Sequence, residues 1–153
     1  MRMTGNDIVE KVTALYAPPY RYLQDAHIDF PHANRRFFVE KTEYFAHQLD
    51  HVTDVEAQIC LNQLCYATFA EAALTKKPEG FSSSLDEYFQ KSDVMVIVES
   101  RKRFTRKIDP RVPFIGGLAV ERFRKQGSLY LASVDFSLDN GAASGNLLVA
   151  LKE

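Results

Sequence analysis

The segment at residues 53–74 constrains the fold of this chain more than any other. It begins with Thr53-Asp54-Val55-Glu56, the order of a capping box, in which the Thr hydroxyl and the Glu carboxylate satisfy free N–H groups at a helix start. Apolar residues then follow on nearly every face of the predicted helix. A helix that is apolar all round is usually wrapped by the rest of its domain, so we expect the other elements to pack around this one.

The remaining segments are typical of a short helix on each side of the long helix and of strands elsewhere. Helical spacing predicts helices at residues 6–16, with Asn6 as the cap, and at 84–91. Alternation and turn residues predict strands at residues 20–30, 35–45, 93–108, 114–124, 128–138 and 143–151. The simplest packing wraps a curved antiparallel sheet around the long helix. The predicted fold class is therefore α+β, a single hot-dog domain over residues 1–153, although other α+β folds share this element order.

Composition and charge exclude several classes of protein. The chain has 153 residues, of which 46% are hydrophobic and 25% charged, with a formal net charge of -1. These values are ordinary for a soluble globular protein and argue against nucleic acid as a partner. No apolar stretch approaches the roughly 20 residues of a membrane span. The polar N-terminus has no signal-peptide core, so we expect a cytoplasmic protein.

Several common kinds of active site are not expected. Cys60 and Cys65 fall in the apolar helix without a CxxC pattern, which favours core residues over a zinc or redox site. His27, His32 and His47 are scattered over predicted strands and a turn and lack metal-ligand spacing. There is no GxSxG motif for a covalent serine mechanism. We therefore predict no metal site and no cofactor other than a substrate's own phosphopantetheine or CoA.

Several short segments stand in a fixed order along the chain. They are HVTDVE at 51–56, CLNQLCYATFA at 60–70, RKRFTRKIDP at 101–110 and DNGAASG at 139–145, preceded by RYL at 21–23 and DA at 25–26. Together they resemble the FcoT-like fatty acyl thioesterases over about residues 16–151. The resemblance implies a hot-dog fold, a homo-oligomer (a dimer or higher), and thioesters of acyl carrier protein or CoA as substrates.

The resemblance implies two possible activities. Some members look like long-chain acyl-CoA thioesterases. Others belong to isonitrile pathways, where they add glycine to the β-carbon of a (2E)-enoyl group on acyl carrier protein and release the N-carboxymethyl β-amino acid. Thr53 stands where the long-chain type has Asn, which favours the glycine-adding reaction. A plain acyl-CoA or acyl-carrier-protein thioesterase and a non-catalytic acyl-binding subunit remain the alternatives.

The start of the long helix is the predicted catalytic region. Unpaired N–H groups near Thr53 are suited to hold a thioester oxyanion. His51 and Glu56 are candidate bases, since a His or a Glu in a dry pocket can exchange protons near neutral pH. Tyr44 and Tyr16 match the family's pocket tyrosines, with a one-residue gap near each. The alternative is that Glu56 only completes a capping box and that His51 is an ordinary loop residue.

Other polar residues are candidates for binding substrate. Asn62, Gln63 and Tyr66 lie in an otherwise apolar helix, so they either line a pocket or make structural hydrogen bonds to the sheet or a partner subunit. Residues 101–111 form the densest basic cluster, in which Arg103 and Arg106 are candidates to contact a substrate carboxylate, CoA phosphates or an acidic carrier. Strand alternation points Arg103 and Lys107 one way, Lys102 and Arg106 the other. The alternative is a solvated strand.

Overall fold

The computed structural model describes residues 4–42, 44–77, 88–89 and 95–152. The helices are α1, Gly5–Thr13, and α2, Asp54–Thr75, with a 3-10 turn at Pro18–Tyr20. The strands are β1, His27–Asp29; β2, His32–Phe37; β3, Met95–Phe104; β4, Phe114–Gln126; β5, Leu129–Leu138; and β6, Ala143–Lys152. The helix predicted at 84–91 lies outside the described residues except for 88–89, which are helical.

One antiparallel sheet contains all six strands in the order β1-β2-β4-β5-β6-β3, so β1 and β3 are its edges. Register shifts in β3, between Ile97 and Glu99, and in β4, between Val120 and Arg122, mark bulges; bulges bend a strand and increase its twist. The long helix α2 belongs to the same core as the inward side chains of the sheet. The predicted α+β hot-dog fold is confirmed.

Residues of α2 are buried on nearly every face. Because nearly every face of the helix is covered, its apolar residues are spread around it and do not form a single stripe. Leu61, Leu64 and Phe69 are fully buried, and so are the polar side chains of Glu56 and Gln63. The apolar residues join the inward side chains of the strands in one cluster. Neither α2 nor the other helix among the described residues is long and apolar enough to cross a membrane.

The first hairpin is shorter than the sequence predicts. The strand predicted at 20–30 shrinks to β1, and the one predicted at 35–45 to β2, with the turn at Phe30-Pro31 instead of residues 31–34. Before β1, the backbone N–H groups of Tyr22 and Leu23 donate to the side chain of Gln63 rather than to a full strand ladder. The prediction was therefore wrong because a helix side chain takes these backbone bonds.

The first helix also differs at both ends. Its cap is Thr4 rather than Asn6: the Asp7 N–H donates to Thr4 Oγ1 at 3.3 Å, and the Thr4 N–H donates to Asp7 Oδ2 at 2.6 Å. The helix ends at Thr13, since the N–H of Tyr16 bonds three residues back, to Thr13. Such tightened bonds commonly close a last helical turn.

Both cysteines are buried in α2, as expected of core residues. Burial raises the pKa of the Cys65 thiol from 9.0 to about 12, and it raises the pKa of the Cys60 thiol as well.

We expect neither thiol to react with a colorimetric thiol reagent at pH 8 until the protein unfolds, when both should react. Because the pKa of Cys65 is raised in the folded state, its stabilising contribution is complete below pH 9.0 and is lost as the pH rises to about 12. Titration with and without denaturant checks the first expectation, and the unfolding free energy above pH 9.0 checks the second. Rapid reaction of the native protein would contradict the first.

Candidate functional site

A buried carboxylate held by three hydroxyl groups lies in the first turn of α2. Glu56 has no exposed surface. Its Oε1 accepts from Thr42 Oγ1 at 3.2 Å, and its Oε2 accepts from the Tyr44 hydroxyl at 2.7 Å and from the Thr53 hydroxyl. No Lys, Arg or His of the described segments forms an ion pair with it. A buried carboxylate served by neutral hydroxyls rather than a cation is unusual, which makes Glu56 a candidate for chemistry.

Thr53 is the first residue before α2, but its side chain does not cap the helix. Its backbone has the extended conformation of an N-cap, and no side-chain hydrogen bond reaches the helix N–H groups. The hydroxyl instead contacts the Glu56 carboxylate and the Tyr44 hydroxyl. The predicted capping box is therefore wrong. The Glu56 side chain lies in the core, and the Thr53 hydroxyl donates to its carboxylate instead of accepting from a helix N–H group. The N–H groups of this first turn consequently lack a side-chain cap.

A pocket of about 470 Å³ opens between the start of α2 and the end of β3. It is lined by His51, Val52, Thr53, Asp54, Phe104, Thr105, Arg106 and Lys107. The two segments are joined by a hydrogen bond from the Val52 N–H to the Ile108 carbonyl at 2.8 Å. Thr53 lines this pocket, and its hydroxyl is also one of the three that contact the Glu56 carboxylate. Thr53 therefore connects the buried Glu56 to the pocket.

Ion pairs surround the pocket. Asp50 contacts His51 Nδ1 at 2.8 Å and Lys107 Nζ at 2.9 Å, and Arg106 pairs with Asp139 at 3.0 Å. The hydrogen bonds from Lys107 and His51 lower the pKa of Asp50 to about 2. Exposed pairs of this kind add little stability, but the Asp50 contact orients the His51 ring. His51 thus lines the pocket without a hydrogen bond to Glu56, and its role as a base stays a prediction.

A further network lies on the inner side of β3. Lys102 has a side-chain exposure of only 8%, and its Nζ contacts Asp54 Oδ1 at 3.2 Å. The same nitrogen donates to Ser100 Oγ at 2.6 Å and to the side-chain oxygen of Gln58. The Gln58 amide in turn donates to Asn62 Oδ1 at 2.8 Å. Asn62 is therefore tied to the pocket region through Gln58 and Lys102.

The basic segment does not follow the predicted alternation to its end. Strand β3 stops at Phe104 rather than residue 108, and Arg106 and Lys107 both line the same pocket instead of pointing opposite ways. The prediction was wrong there because strand alternation holds only inside a strand. Arg103 is exposed on the face opposite Lys102, and its substrate contact stays a prediction.

Gln63 makes structural hydrogen bonds. Its Oε1 accepts from the N–H groups of Tyr22 at 3.0 Å and Leu23 at 2.9 Å, and its Nε2 donates to the Tyr20 carbonyl at 2.6 Å. It does not line the pocket beside Thr53. These contacts match the structural alternative weighed for the polar residues of α2, and they do not support substrate binding.

Tyr16 and Tyr66 lie together, away from the catalytic candidates. Burial, then the neighbouring Tyr66 and Cys65, raise the pKa of Tyr16. The Tyr88 hydroxyl donates to the Tyr66 carbonyl at 3.0 Å, and the two rings meet edge to face. Tyr66 lies about 15 Å along the helix axis from Glu56, from the usual rise per residue. A role for Tyr16 and Tyr66 in binding an acyl chain stays a prediction.

Known structures share this architecture. A sigma28-regulated virulence protein from Campylobacter jejuni matches with a TM-score of 0.56 at 13% identity, covering 93% of this chain and 96% of that one. A Staphylococcus aureus protein solved in complex with CoA matches with a TM-score of 0.50 at 13% identity, covering 77% of this chain and 67% of that one. At this identity, the likeness concerns the fold alone.

Sequence comparison identifies the family. A (2E)-enoyl-acyl-carrier-protein glycyltransferase from Mycobacterium marinum is 31% identical over 159 residues, which cover 94% of this chain and 86% of that protein. The model of the FcoT-like thioesterase domain matches residues 11–151. This match confirms the resemblance seen in the sequence, and the chain belongs to the FcoT-like thioesterase domain family.

Proposed function

We propose that this protein adds glycine to the β-carbon of a (2E)-enoyl group on acyl carrier protein and then hydrolyses the thioester, releasing an N-carboxymethyl β-amino acid. The broader activity, an enzyme acting on acyl thioesters, follows from the family. The glycine step is supported by the name of the mycobacterial relative. The observation that carries the proposal is the buried Glu56 carboxylate, which the Thr53 hydroxyl connects to a pocket surrounded by ion pairs.

Glu56 acts through Thr53 because it has no surface of its own at the pocket. In the addition step, the glycine ammonium gives a proton to the Thr53 oxygen while Thr53 passes its own proton to Glu56. The freed amine nitrogen forms a bond to the β-carbon, and the electron pair of the C=C bond moves to the thioester oxygen. Uncapped N–H groups of the first turn of α2 are placed to stabilise that enolate. The proton on Glu56 then returns through Thr53 to the α-carbon.

The release step uses the same groups. Water gives a proton to the Thr53–Glu56 relay and attacks the thioester carbonyl, whose oxyanion occupies the position of the earlier enolate oxygen. The carrier thiol leaves and takes the proton back. Tyr44 donates to Glu56 and keeps its carboxylate aligned with Thr53. His51, oriented by Asp50 at the pocket wall, is the second candidate base for the water.

The relay predicts that the hydroxyl of residue 53 matters more than its shape. Thr53→Val should lower turnover by about 100-fold, the lower range for a lost proton-transfer group. Thr53→Ser, which keeps the hydroxyl, should stay within about tenfold of the natural protein. Steady-state kinetics on a carrier-bound enoyl thioester checks both. Equal losses in the two variants would show that the methyl group, not the hydroxyl, is needed.

A plain thioesterase is the alternative that the site also supports, because the relay could activate water alone. The mass of the product distinguishes the two activities. The protein is incubated with a (2E)-enoyl thioester of carrier protein, once with glycine and once without it. An N-carboxymethyl β-amino acid that forms only with glycine supports the proposal, whereas free enoic acid regardless of glycine supports the thioesterase. No turnover with carrier or CoA thioesters of several chain lengths would support a non-catalytic acyl-binding subunit.

We also propose a homo-oligomer that acts in the cytoplasm, where acyl carrier protein is found. Strand β3 is an edge of the sheet, and its Val96 and Val98 side chains are 49% and 53% exposed. An edge that no strand of the described residues pairs, with exposed apolar side chains, is suited to pair with the strand of another subunit. Light scattering should then give at least twice the chain mass of 17.4 kDa, and a monomer at micromolar concentration would contradict this proposal.

A further inference from the structure

We propose that the Asp54–Lys102 ion pair is the binding site for the amino acid, which it takes as a zwitterion. In this arrangement Asp54 receives the ammonium group and Lys102 receives the carboxylate. The inference rests on the proposed glycine addition, and it assigns the recognition of the second substrate to Asp54 at the pocket wall and to Lys102, which contacts Asp54 from β3.

Lys102 differs from the other cations of the basic segment in its burial. Its side chain is 8% exposed, compared with 50% for Arg106 and 69% for Lys107. Two uncharged acceptors, Ser100 Oγ and the Gln58 side-chain oxygen, hold its Nζ in place. A cation withdrawn from water attracts a carboxylate more strongly than one that solvent screens. Lys102 is therefore the cation best suited to hold a small carboxylate.

Asp54 can separate from Lys102 without leaving an unpaired carboxylate buried. Its side chain is 71% exposed and lines the pocket, so water can solvate it when it turns away. When a zwitterion enters, the ligand carboxylate takes the place of Asp54 on Lys102, while Ser100 and Gln58 stay in contact. The ligand ammonium then pairs with Asp54. Every charge present before the exchange has an opposite partner after it.

This balance distinguishes a zwitterion from a simple anion or a simple amine. A carboxylate without an ammonium group breaks the Asp54–Lys102 pair and forms one new pair, with Lys102. An amine without a carboxylate likewise exchanges that pair for one new pair, with Asp54. A zwitterion breaks one pair and forms two, so it gains an ion pair that neither single charge can gain.

The position of Asp54 also fits the chemistry. Asp54 follows directly after Thr53, whose hydroxyl contacts the buried Glu56. Thr53 and Asp54 line the same pocket, so an ammonium group held on the Asp54 carboxylate lies in the pocket that the proton relay serves. The ion pair positions the amine, and Thr53 and Glu56 take the proton from it.

The test is the KM for glycine in the variant Lys102→Met, which keeps the length of the side chain and removes its charge. We expect that KM to rise about 10- to 100-fold, the range for losing a charged hydrogen bond, with the KM for the carrier thioester little changed. Lys102→Arg should recover part of the affinity. Lys77→Met, an exposed lysine beyond the far end of α2, should match the natural protein.

A second measurement needs no turnover. Saturation-transfer NMR with glycine alone should show binding to the natural protein and to Lys77→Met, and not to Lys102→Met. Methylamine and acetate, each carrying one of the two charges, should not displace glycine at equal concentration. Thermal unfolding confirms that each variant is folded, and if Lys102→Met is not, Asp54→Asn tests the other half of the pair.

The outcomes separate this inference from the proposed function. If the natural protein adds glycine and Lys102→Met keeps its KM for glycine, the site assignment is wrong and the function stands. If glycine binds through Lys102 but only free acid is produced, the function is wrong and the site stands. Absence of both glycine binding and glycine addition would overturn both.

Discussion

Replacing Glu56 by Gln is expected to lower turnover by about 10²- to 10⁴-fold, the usual contribution of a general base. The amide keeps the size of the carboxylate but cannot accept a proton, so the relay through Thr53 has no end point. The measurement is kcat on a carrier-bound enoyl thioester, followed separately for glycine addition and for release. Glu121→Gln, on the exposed part of β4, is the matched control and should retain full activity.

The same substitution should leave the fold intact. Glu56 is a buried carboxylate with hydroxyl partners and, within the described residues, no cation beside it. Removing a buried charge lowers the cost of desolvation, and a Gln oxygen can still accept from one of the hydroxyls. We therefore expect the thermal midpoint of Glu56→Gln to equal or exceed that of the natural protein. A stable, fully active variant would exclude Glu56 as the base and turn attention to His51.

Replacing Gln63 by Leu is expected to destabilise the protein by about 3 kcal/mol or more, without acting on the chemistry directly. The change leaves the N–H groups of Tyr22 and Leu23 and the carbonyl of Tyr20 without their partner. Each buried polar group left unsatisfied costs about 1–3 kcal/mol. Since small domains have only about 5–15 kcal/mol of stability, the loss is large.

Chemical denaturation of Gln63→Leu and of Asn62→Leu tests this expectation. Asn62 is half-buried, and its side-chain oxygen accepts from Gln58 rather than from the backbone. Its replacement should cost no more than about 1 kcal/mol. Similar losses in the two variants would show that the three backbone contacts of Gln63 contribute little.

The regular parts of the fold could be predicted from the sequence because their signals are local. The all-round apolar pattern of α2 and the alternation of β4, β5 and β6 agree with the structure to within two residues at each end. Gly127 and Gly141, which lie between the predicted strands, have the positive φ that glycine adopts in turns. The first hairpin was not predictable, because its backbone bonds depend on Gln63, which lies far along the chain.

The candidate site was predictable only in part. His51, Thr53 and Glu56 are close in sequence, so a helix start brings them to one region, and the family resemblance drew attention to Tyr44. Thr42 carried no signal, since a threonine near a strand end is ordinary. Lys102 was one of several basic residues, and its burial depends on how β3 packs against the start of α2.

The sequence by itself determined that α2 lies at the centre, that β4, β5 and β6 pack around it, and that the chain resembles the FcoT-like family. The helix and the strands follow from hydrophobic periodicity, and the family resemblance follows from short sequence segments that stand in a fixed order along the chain. Only the tertiary structure decided that the Thr53 hydroxyl contacts Glu56 instead of capping the helix and that Lys102 is the least exposed cation of the basic segment. The physical reason is that both depend on desolvation, which arises when Thr42 and Tyr44 enclose Glu56 and when strand β3 packs against the start of α2.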